Sequence, residues 1–119
     1  MDLPLSSIDN TNLAELLVDA RVISTPADGA ELAGNLYFQG FEGVILRTEQ
    51  LAPAFFDLKT GLAGEVLQKF STYRLRLAII GDFSVYPGRS LQDFIRESNA
   101  RGQVSFVDSR EAALARFSG

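Results

Sequence analysis

The hydrophobic positions of the chain follow two patterns, each typical of one kind of secondary structure. Short runs of consecutive apolar residues, rich in branched side chains, predict strands. These runs lie at 13–18, 21–23, 44–46, 75–80 and 104–107. Apolar residues at helical spacing between the runs predict helices at 25–40, 60–73, 90–99 and from 108 onward. The predicted order is therefore strand, strand, helix, and then strand and helix in alternation.

Capping residues mark the predicted helix starts. Thr25 offers a capping hydroxyl, Pro26 suits the first helical position and Asp28 completes a capping box. Similar pairs predict the starts of the third and fourth helices: Ser90 with Asp93, and Asp108 with Glu111. Gly40 is the predicted end of the first helix, because glycine commonly follows the last helical residue.

The predicted fold class is α/β, in a single domain. Helices that connect successive strands imply a mostly parallel central sheet with flanking helices, because a parallel pair needs a crossover connection. Residues 1–11 are polar and are predicted to form a loosely held leader, so the domain is assigned to residues 12–119. Strands 44–46, 75–80 and 104–107 are expected to lie side by side.

Composition narrows the chemistry that the domain could perform. The 119-residue chain contains no cysteine, histidine or tryptophan, but nine phenylalanines and three tyrosines. Disulfides, the usual zinc ligands and nucleophiles that depend on imidazole or thiol are therefore excluded. No metal site and no cofactor are predicted, and any catalysis would have to use carboxylates, lysine or hydroxyl groups.

The charge balance argues against a nucleic-acid partner. Eleven basic and fifteen acidic residues give a formal net charge of −4, whereas binding to a phosphate backbone calls for a basic surface. The N-terminal residues lack a positively charged leader and a continuous apolar run, so neither a signal peptide nor a membrane span is predicted. The expected location is the cytoplasm.

Several chemically active residue types crowd the predicted turn into the second helix. Asp57, Lys59 and Thr60 stand there, and Gly61 and Gly64 would let a ligand or another backbone approach closely. The free N–H groups at the start of the helix would favour an anionic group. Thr60 is therefore a candidate modification site, and the whole segment is a candidate contact. The alternative is that Asp57 or Thr60 simply caps the helix.

A second group of polar residues follows the strand at 75–80. Asp82 ends this strand, and Glu97 and Asn99 come from the next predicted helix. If these residues converged with Asp57, the carboxylates could hold Mg²⁺ or share a proton. The alternative is that Asp82 belongs to an ordinary strand-end turn and that Glu97 is a solvated helix residue.

The long connection that follows the strand at 44–46 carries two adjacent aromatic residues, Phe55 and Phe56. We predict that one ring points into the core and that the other points outward. An exposed ring would contribute to a protein-contact patch.

Three segments of the chain resemble a bacterial domain-of-unknown-function family, number forty-one eighty. The segments are FFDLKTGLAGEVLQKF at 55–70, AIIGDFS at 78–84 and SLQDFIRESN at 90–99. The activity of that family is unassigned, so the resemblance implies a family and no reaction.

The order of predicted elements also resembles that of the STAS domain, which sulfate transporters and anti-sigma-factor antagonists share. In that family a loop with Asp, Ser and Gly starts the second helix, and its Ser is the regulatory phosphorylation site in the antagonists. Thr60 occupies the matching place, so the resemblance implies modification there. Two residues depart from the pattern: Asp57 lies three positions before the hydroxyl, and Lys59 replaces a small polar residue.

Together these observations favour a non-enzymatic regulatory or protein-interaction module of STAS-like type. Its contact or modification site is predicted at the loop that enters the second helix, and a protein partner, with a second copy of the chain as one candidate, is expected. Two alternatives stay open. One is a carboxylate-dependent enzyme that uses Asp57, Asp82 and Glu97 with Thr60 or Lys59, and the other is a domain that binds a small anion at the same place.

Overall fold

One sheet of five strands organises the fold, and the strands lie side by side in the order in which they occur along the chain. The computed structural model describes residues 4–118. The strands are β1 (Leu5–Ser7), β2 (Leu13–Leu16), β3 (Gly43–Arg47), β4 (Arg76–Ile80) and β5 (Val104–Val107). The expected neighbours 44–46, 75–80 and 104–107 are confirmed, because they form β3, β4 and β5.

Strand directions correct one prediction. β1 runs antiparallel to β2, whereas β2, β3, β4 and β5 are parallel to their neighbours. The sheet is therefore mixed, not mostly parallel. The first two strands also lie earlier than predicted, since β1 falls within the segment 1–11 that was expected to be a loosely held leader. Residues 1–3 of that segment lie outside the described residues.

A tight turn explains why the polar segment pairs as a strand. The Thr11 hydroxyl donates to the Ile8 carbonyl (2.8 Å), and the Ile8 N–H donates to the Leu13 carbonyl (2.9 Å). This turn brings β1 back along β2. The predicted strand at 21–23 is wrong, because Ile23 forms only an isolated parallel bridge with Leu51.

Within residues 4–118, four helices complete the fold: α1 (Pro26–Phe38), α2 (Leu62–Thr72), α3 (Arg89–Arg101) and α4 (Arg110–Ser118). The capping box before α1 is confirmed. The Asp28 N–H donates to the Thr25 hydroxyl (3.2 Å), and the Thr25 N–H donates to the Asp28 carboxylate (3.0 Å).

The other two predicted capping pairs are wrong. Gly88 precedes α3 and has a φ of +113°, a conformation that glycine adopts far more readily than other residues, so the helix begins before Ser90. At α4, the Ser109 hydroxyl accepts the Ala112 N–H (3.0 Å), so Ser109 and not Asp108 supplies the cap.

The helices divide between the two faces of the sheet. α1, α2 and α3 contribute to the large core on one face, whereas α4 packs on the other face. Right-handed crossovers between neighbouring parallel strands account for three successive helices on the same face. Side chains of β4 alternate between the two faces of the sheet. Leu77 and Ile79 enter the large core, whereas Ala78 packs with Ile45 and Ala113 on the other face.

Two connections leave the carboxyl ends of neighbouring parallel strands. The first connection, residues 48–61, links β3 to α2 through three short 3₁₀ turns, and the second connection, residues 81–88, links β4 to α3 through one. Because β3 and β4 pair directly, the two connections emerge at the same edge of the sheet. In α/β folds this edge commonly carries the ligand or contact site.

Candidate functional site

A cleft of about 740 Å³ opens between the first and second connections. Most of its lining is apolar and comes from both connections and the first turn of α3: Pro53, Phe56, Leu58, Tyr86, Pro87 and Leu91. Three charged side chains also line the cleft, namely Asp57, Lys59 and Arg89. The cleft therefore combines an apolar wall on each side with charged groups of both signs.

Aromatic rings join the two connections beneath the cleft. Phe56 stacks on Tyr86 with ring centroids 4.6 Å apart and an interplanar angle of 21°. Phe56 also meets Phe55 edge to face at 5.1 Å. Both phenylalanines are buried, with exposed fractions of 1% for Phe55 and 7% for Phe56. The prediction that one ring points outward is wrong, because Phe83 and Tyr86 of the second connection cover Phe56.

The phenol of Tyr86 stays protonated at neutral pH. Partial burial raises the pKa of Tyr86 above its usual value, and the nearby carboxylate of Glu49 raises this pKa further. Tyr86 therefore presents a neutral ring and a hydroxyl donor to its surroundings.

Each connection contains an aspartate that caps a 3₁₀ turn in nearly the same backbone conformation. Asp57 has φ −104° and ψ 100°, and Asp82 has φ −101° and ψ 99°. The Asp57 carboxylate accepts the Lys59 N–H (3.2 Å), and the Asp82 carboxylate accepts both the N–H (3.1 Å) and the hydroxyl (2.5 Å) of Ser84. The Ser84 hydroxyl, followed by its N–H, lowers the pKa of Asp82 from its usual value.

A glycine with a positive φ then precedes the helix in each connection. Gly61 has a φ of +78° before α2, and Gly88 has a φ of +113° before α3. Gly61 thus has a conformational role. Gly64 is exposed, and a Cβ added there would meet no other atom within 4 Å, so no part of the described chain approaches it closely.

Thr60 is exposed but its hydroxyl is engaged locally. The hydroxyl lies 2.7 Å from the Ala54 carbonyl and 2.9 Å from the Asp57 carbonyl, and it accepts the Leu62 N–H at 3.2 Å. This pattern fits the capping alternative. Thr60 follows Lys59, which lines the candidate cleft, but Thr60 itself is not part of the lining.

The three carboxylates that were considered as one group do not line the same depression of the surface. Asp57 lines the cleft, whereas Asp82 lines a separate depression of about 440 Å³ with Asp108. Glu97 is exposed on α3 and lines neither depression. Within residues 4–118, no group of three or more acidic, histidine or cysteine side chains could hold a metal ion.

Asn99 has a structural position at the edge of the sheet. Its side-chain amide pairs with the backbone of Phe106 in β5, donating to the carbonyl (3.2 Å) and accepting the N–H (2.7 Å). The Arg116 side chain donates to the Asn99 carbonyl and to the Ser105 hydroxyl. These bonds satisfy backbone groups that an edge strand would otherwise leave open.

Comparison with known protein families gives one match. A family model described as a domain of unknown function, DUF4180, matches residues 8–117. The chain belongs to the DUF4180 family. No curated protein gives a significant match to this chain.

The cleft of this DUF4180 domain contains residues that sequence analysis did not propose. Arg89 and Leu91 lie in the first turn of α3, and Tyr86 follows the 3₁₀ turn of the second connection. One sequence signal could have found them. The loop 84–89 and the connection 48–59 follow strands that were expected to be parallel neighbours, so the two segments had to meet at one edge of the sheet.

The DUF4180 domain has no helix within residues 4–118 that is long and apolar enough to cross a membrane.

Proposed function

We propose that this DUF4180 domain is a non-enzymatic protein-interaction module of regulatory type, and that a partner protein binds in the cleft between the two connections. The observation that carries this proposal is the cleft itself, with its apolar walls and its volume of about 740 Å³. Concave, mostly apolar surfaces with a few polar groups are the usual places of specific binding.

The composition of the cleft favours binding over chemistry. Its carboxylate, Asp57, already accepts the Lys59 N–H and therefore acts as a turn cap. Its half-buried side chains Leu58 and Tyr86 can cover an apolar side chain of a partner, and the stacked ring of Phe56 supports Tyr86. The carboxylate-dependent enzyme has less support, because Asp57 and Asp82 line different depressions.

A STAS-like regulatory role is part of the same proposal. The succession of two strands and a helix, followed by alternating strands and helices, is the observation that supports this part of the proposal. Thr60 lies just before α2, at the place that the resemblance matches to the regulatory serine. The exposure of Thr60 is compatible with modification by a kinase.

Phosphorylation of Thr60 would act on the wall of the cleft. A phosphate would add about −1.5 to −2 charge next to Lys59 and would remove the hydroxyl proton that is donated to a backbone carbonyl. The first connection would then have to rearrange locally. Thr60→Glu should therefore change partner binding more than it changes the free energy of unfolding, and chemical denaturation beside a binding assay checks this.

Capture of partners from an extract of the native host tests the proposed contact surface. Leu58 lines the cleft and packs partly on the core, whereas Leu17 is 55% exposed and lies outside it, so Leu58→Asp is compared with Leu17→Asp once denaturation has shown that both variants fold. We expect wild type and Leu17→Asp to capture the same protein and Leu58→Asp to lose it. Equal capture by both variants would show that the cleft is not the contact surface.

Binding of a small anion is the second candidate function, and the two cations of the cleft favour it. Lys59 and Arg89 line the same cleft and could contact one anion together. Calorimetric titration with inorganic phosphate tests this candidate. Binding that disappears in Lys59→Gln and persists in Lys69→Gln would support a small-anion site in place of a protein contact.

A further inference from the structure

Charge is distributed unevenly around the cleft. Two cations, Lys59 and Arg89, and one carboxylate, Asp57, belong to its lining. The carboxylate is occupied as a cap by the Lys59 N–H. The Lys59 ammonium has no ion-pair partner among residues 4–118, so its charge is available to a bound molecule.

Arg89 is also poorly neutralised. Its side chain is 94% exposed, and its Nε lies 3.9 Å from the Asp93 carboxylate. Asp93 makes a much closer contact of 2.6 Å with the guanidinium of Arg96. An exposed pair at the limit of ion-pair distance contributes little. Arg89 can therefore turn toward the cleft at small cost.

The remaining acid near the cleft is already paired. The Glu49 carboxylate contributes to raising the pKa of Tyr86, and it lies 3.3 Å from the Arg47 guanidinium. Glu49 is thus paired within the chain, and Asp57 keeps its charge, so the two cations and one carboxylate of the lining leave a formal net charge of +1. This local excess of positive charge stands out in a chain whose formal net charge is −4.

We propose that the cleft binds a short segment of a partner protein in which an acidic side chain stands beside apolar residues. This inference rests on the proposed function and specifies its partner. The apolar part of the segment would pack on Leu58, Tyr86 and Pro87, which line the cleft and are not buried, and its carboxylate would lie between Lys59 and Arg89.

The net charge of the chain favours a short segment, and not a large acidic surface, as the bound element. A large acidic surface would meet many acids of this chain and would be repelled, because the chain as a whole is acidic. A short segment confines its carboxylate to the neighbourhood of Lys59 and Arg89. At physiological salt, charges more than about 8 Å away are largely screened, so the two local cations dominate.

Selection from a library of random linear peptides displayed on phage tests the inference with the full chain. We expect the enriched peptides to contain Asp or Glu beside aromatic or aliphatic residues. Each peptide is then measured by fluorescence anisotropy against wild type and four variants. Two variants change the cleft, Lys59→Gln and Arg89→Gln, and two matched controls remove the same charges elsewhere, Lys69→Gln and Arg101→Gln.

Each cleft variant should weaken binding about two- to five-fold, which is the range of an exposed ion pair. The loss should be larger at low salt, and the two control variants should bind like wild type. Leu58→Asp separates this inference from the proposed function. Peptides that lose binding in Leu58→Asp but carry no acid, or that ignore Lys59→Gln and Arg89→Gln, would overturn the inference and leave the binding cleft standing. Enriched peptides that bind Leu58→Asp as well as wild type would overturn both.

Discussion

The first and second connections are built on one plan but are held by the chain with unequal strength. Each has an aspartate-capped 3₁₀ turn and a glycine of positive φ before its helix. The first connection, however, is rooted in the core by the buried residues Gln50, Phe55 and Phe56. The second is largely at the surface, and Val85 within it is 65% exposed.

Two glutamines show the difference most clearly. Gln50 is fully buried, and its side chain donates to the carbonyls of Leu16 (2.9 Å) and Val18 (2.8 Å) and accepts the Arg47 N–H (2.9 Å). Its backbone carbonyl accepts two further N–H groups from residues 22 and 23. The second connection has a single anchor of this kind, a side chain that is only half-buried. It should therefore open locally more easily than the first connection.

This second anchor is Gln92 on α3. Its side chain donates to the carbonyls of Phe83 (2.8 Å) and Tyr86 (3.1 Å). The cleft is therefore bounded by one wall that is part of the core and another wall that is tied to α3. The second wall should therefore move more easily than the first wall without disturbing the sheet.

Removal of the aromatic link between the two walls should have the largest effect. Phe56→Ala should lower the free energy of unfolding by about 3–5 kcal/mol, because it leaves a cavity between the connections. Tyr86→Ala should cost less, since Tyr86 is only half-buried. Urea denaturation of both single variants and the double variant should give a coupling of about 0.5–1.5 kcal/mol for the stacked pair. Additive effects would mean that the rings do not join the walls.

Loss of the buried anchor of the first connection should come next. Gln50→Leu should cost about 2–4 kcal/mol, because buried carbonyls and an N–H group lose their partners while the volume is nearly kept. The matched control is Gln68→Leu on the exposed side of α2, which should change the free energy of unfolding by less than about 0.5 kcal/mol. Denaturation curves of the two variants that coincide would contradict the proposed anchor.

Loss of the anchor of the second connection should be milder and local. Gln92→Ala should cost about 1–2 kcal/mol for two hydrogen bonds at a half-buried site. Hydrogen exchange should become faster for the amides of residues 83–86 and should stay unchanged in β3 and β4. Uniformly faster exchange throughout the sheet would show that the two walls are equally rooted.

The Thr60 hydroxyl should contribute a smaller amount to the first connection. Thr60→Ala should cost about 0.5–2 kcal/mol, which is the usual range for a lost capping side chain, and Thr60→Ser should restore most of it. Thermal unfolding of the three proteins checks the expectation. If Thr60→Ser is as unstable as Thr60→Ala, the methyl group and not the hydroxyl bond accounts for the loss.

The aspartate cap of the second connection should respond to acid. Because the pKa of Asp82 is lower in the folded chain than in the unfolded chain, its contribution to stability is present above the ordinary aspartate pKa of about 3.9. The contribution is lost as the pH falls through the folded value. Ser84→Ala should raise the pKa of Asp82 in a carboxyl NMR titration, whereas Ser90→Ala should leave it unchanged. An unaltered titration in Ser84→Ala would exclude the serine as the cause.

Local order could be predicted from the sequence where neighbouring residues decide it. The capping box at Thr25 depends on atoms three residues apart, and the short apolar run at 75–80 favours a buried strand. The same logic located the turn into the second helix near residues 57–61. Short-range hydrogen bonds and periodicity are properties of the segment itself, so they can be predicted without knowledge of the rest of the fold.

Only the tertiary structure decided which distant residues meet. The polar segment at 5–7 became a strand because β2 offered a partner, and Phe56 is covered because Phe83 and Tyr86 arrive from a different connection. The side-chain amide of Asn99 hydrogen-bonds to the backbone of β5 at the edge of the sheet instead of lining the candidate site. These outcomes depend on strand register and on packing between segments far apart in the chain, which no local pattern encodes.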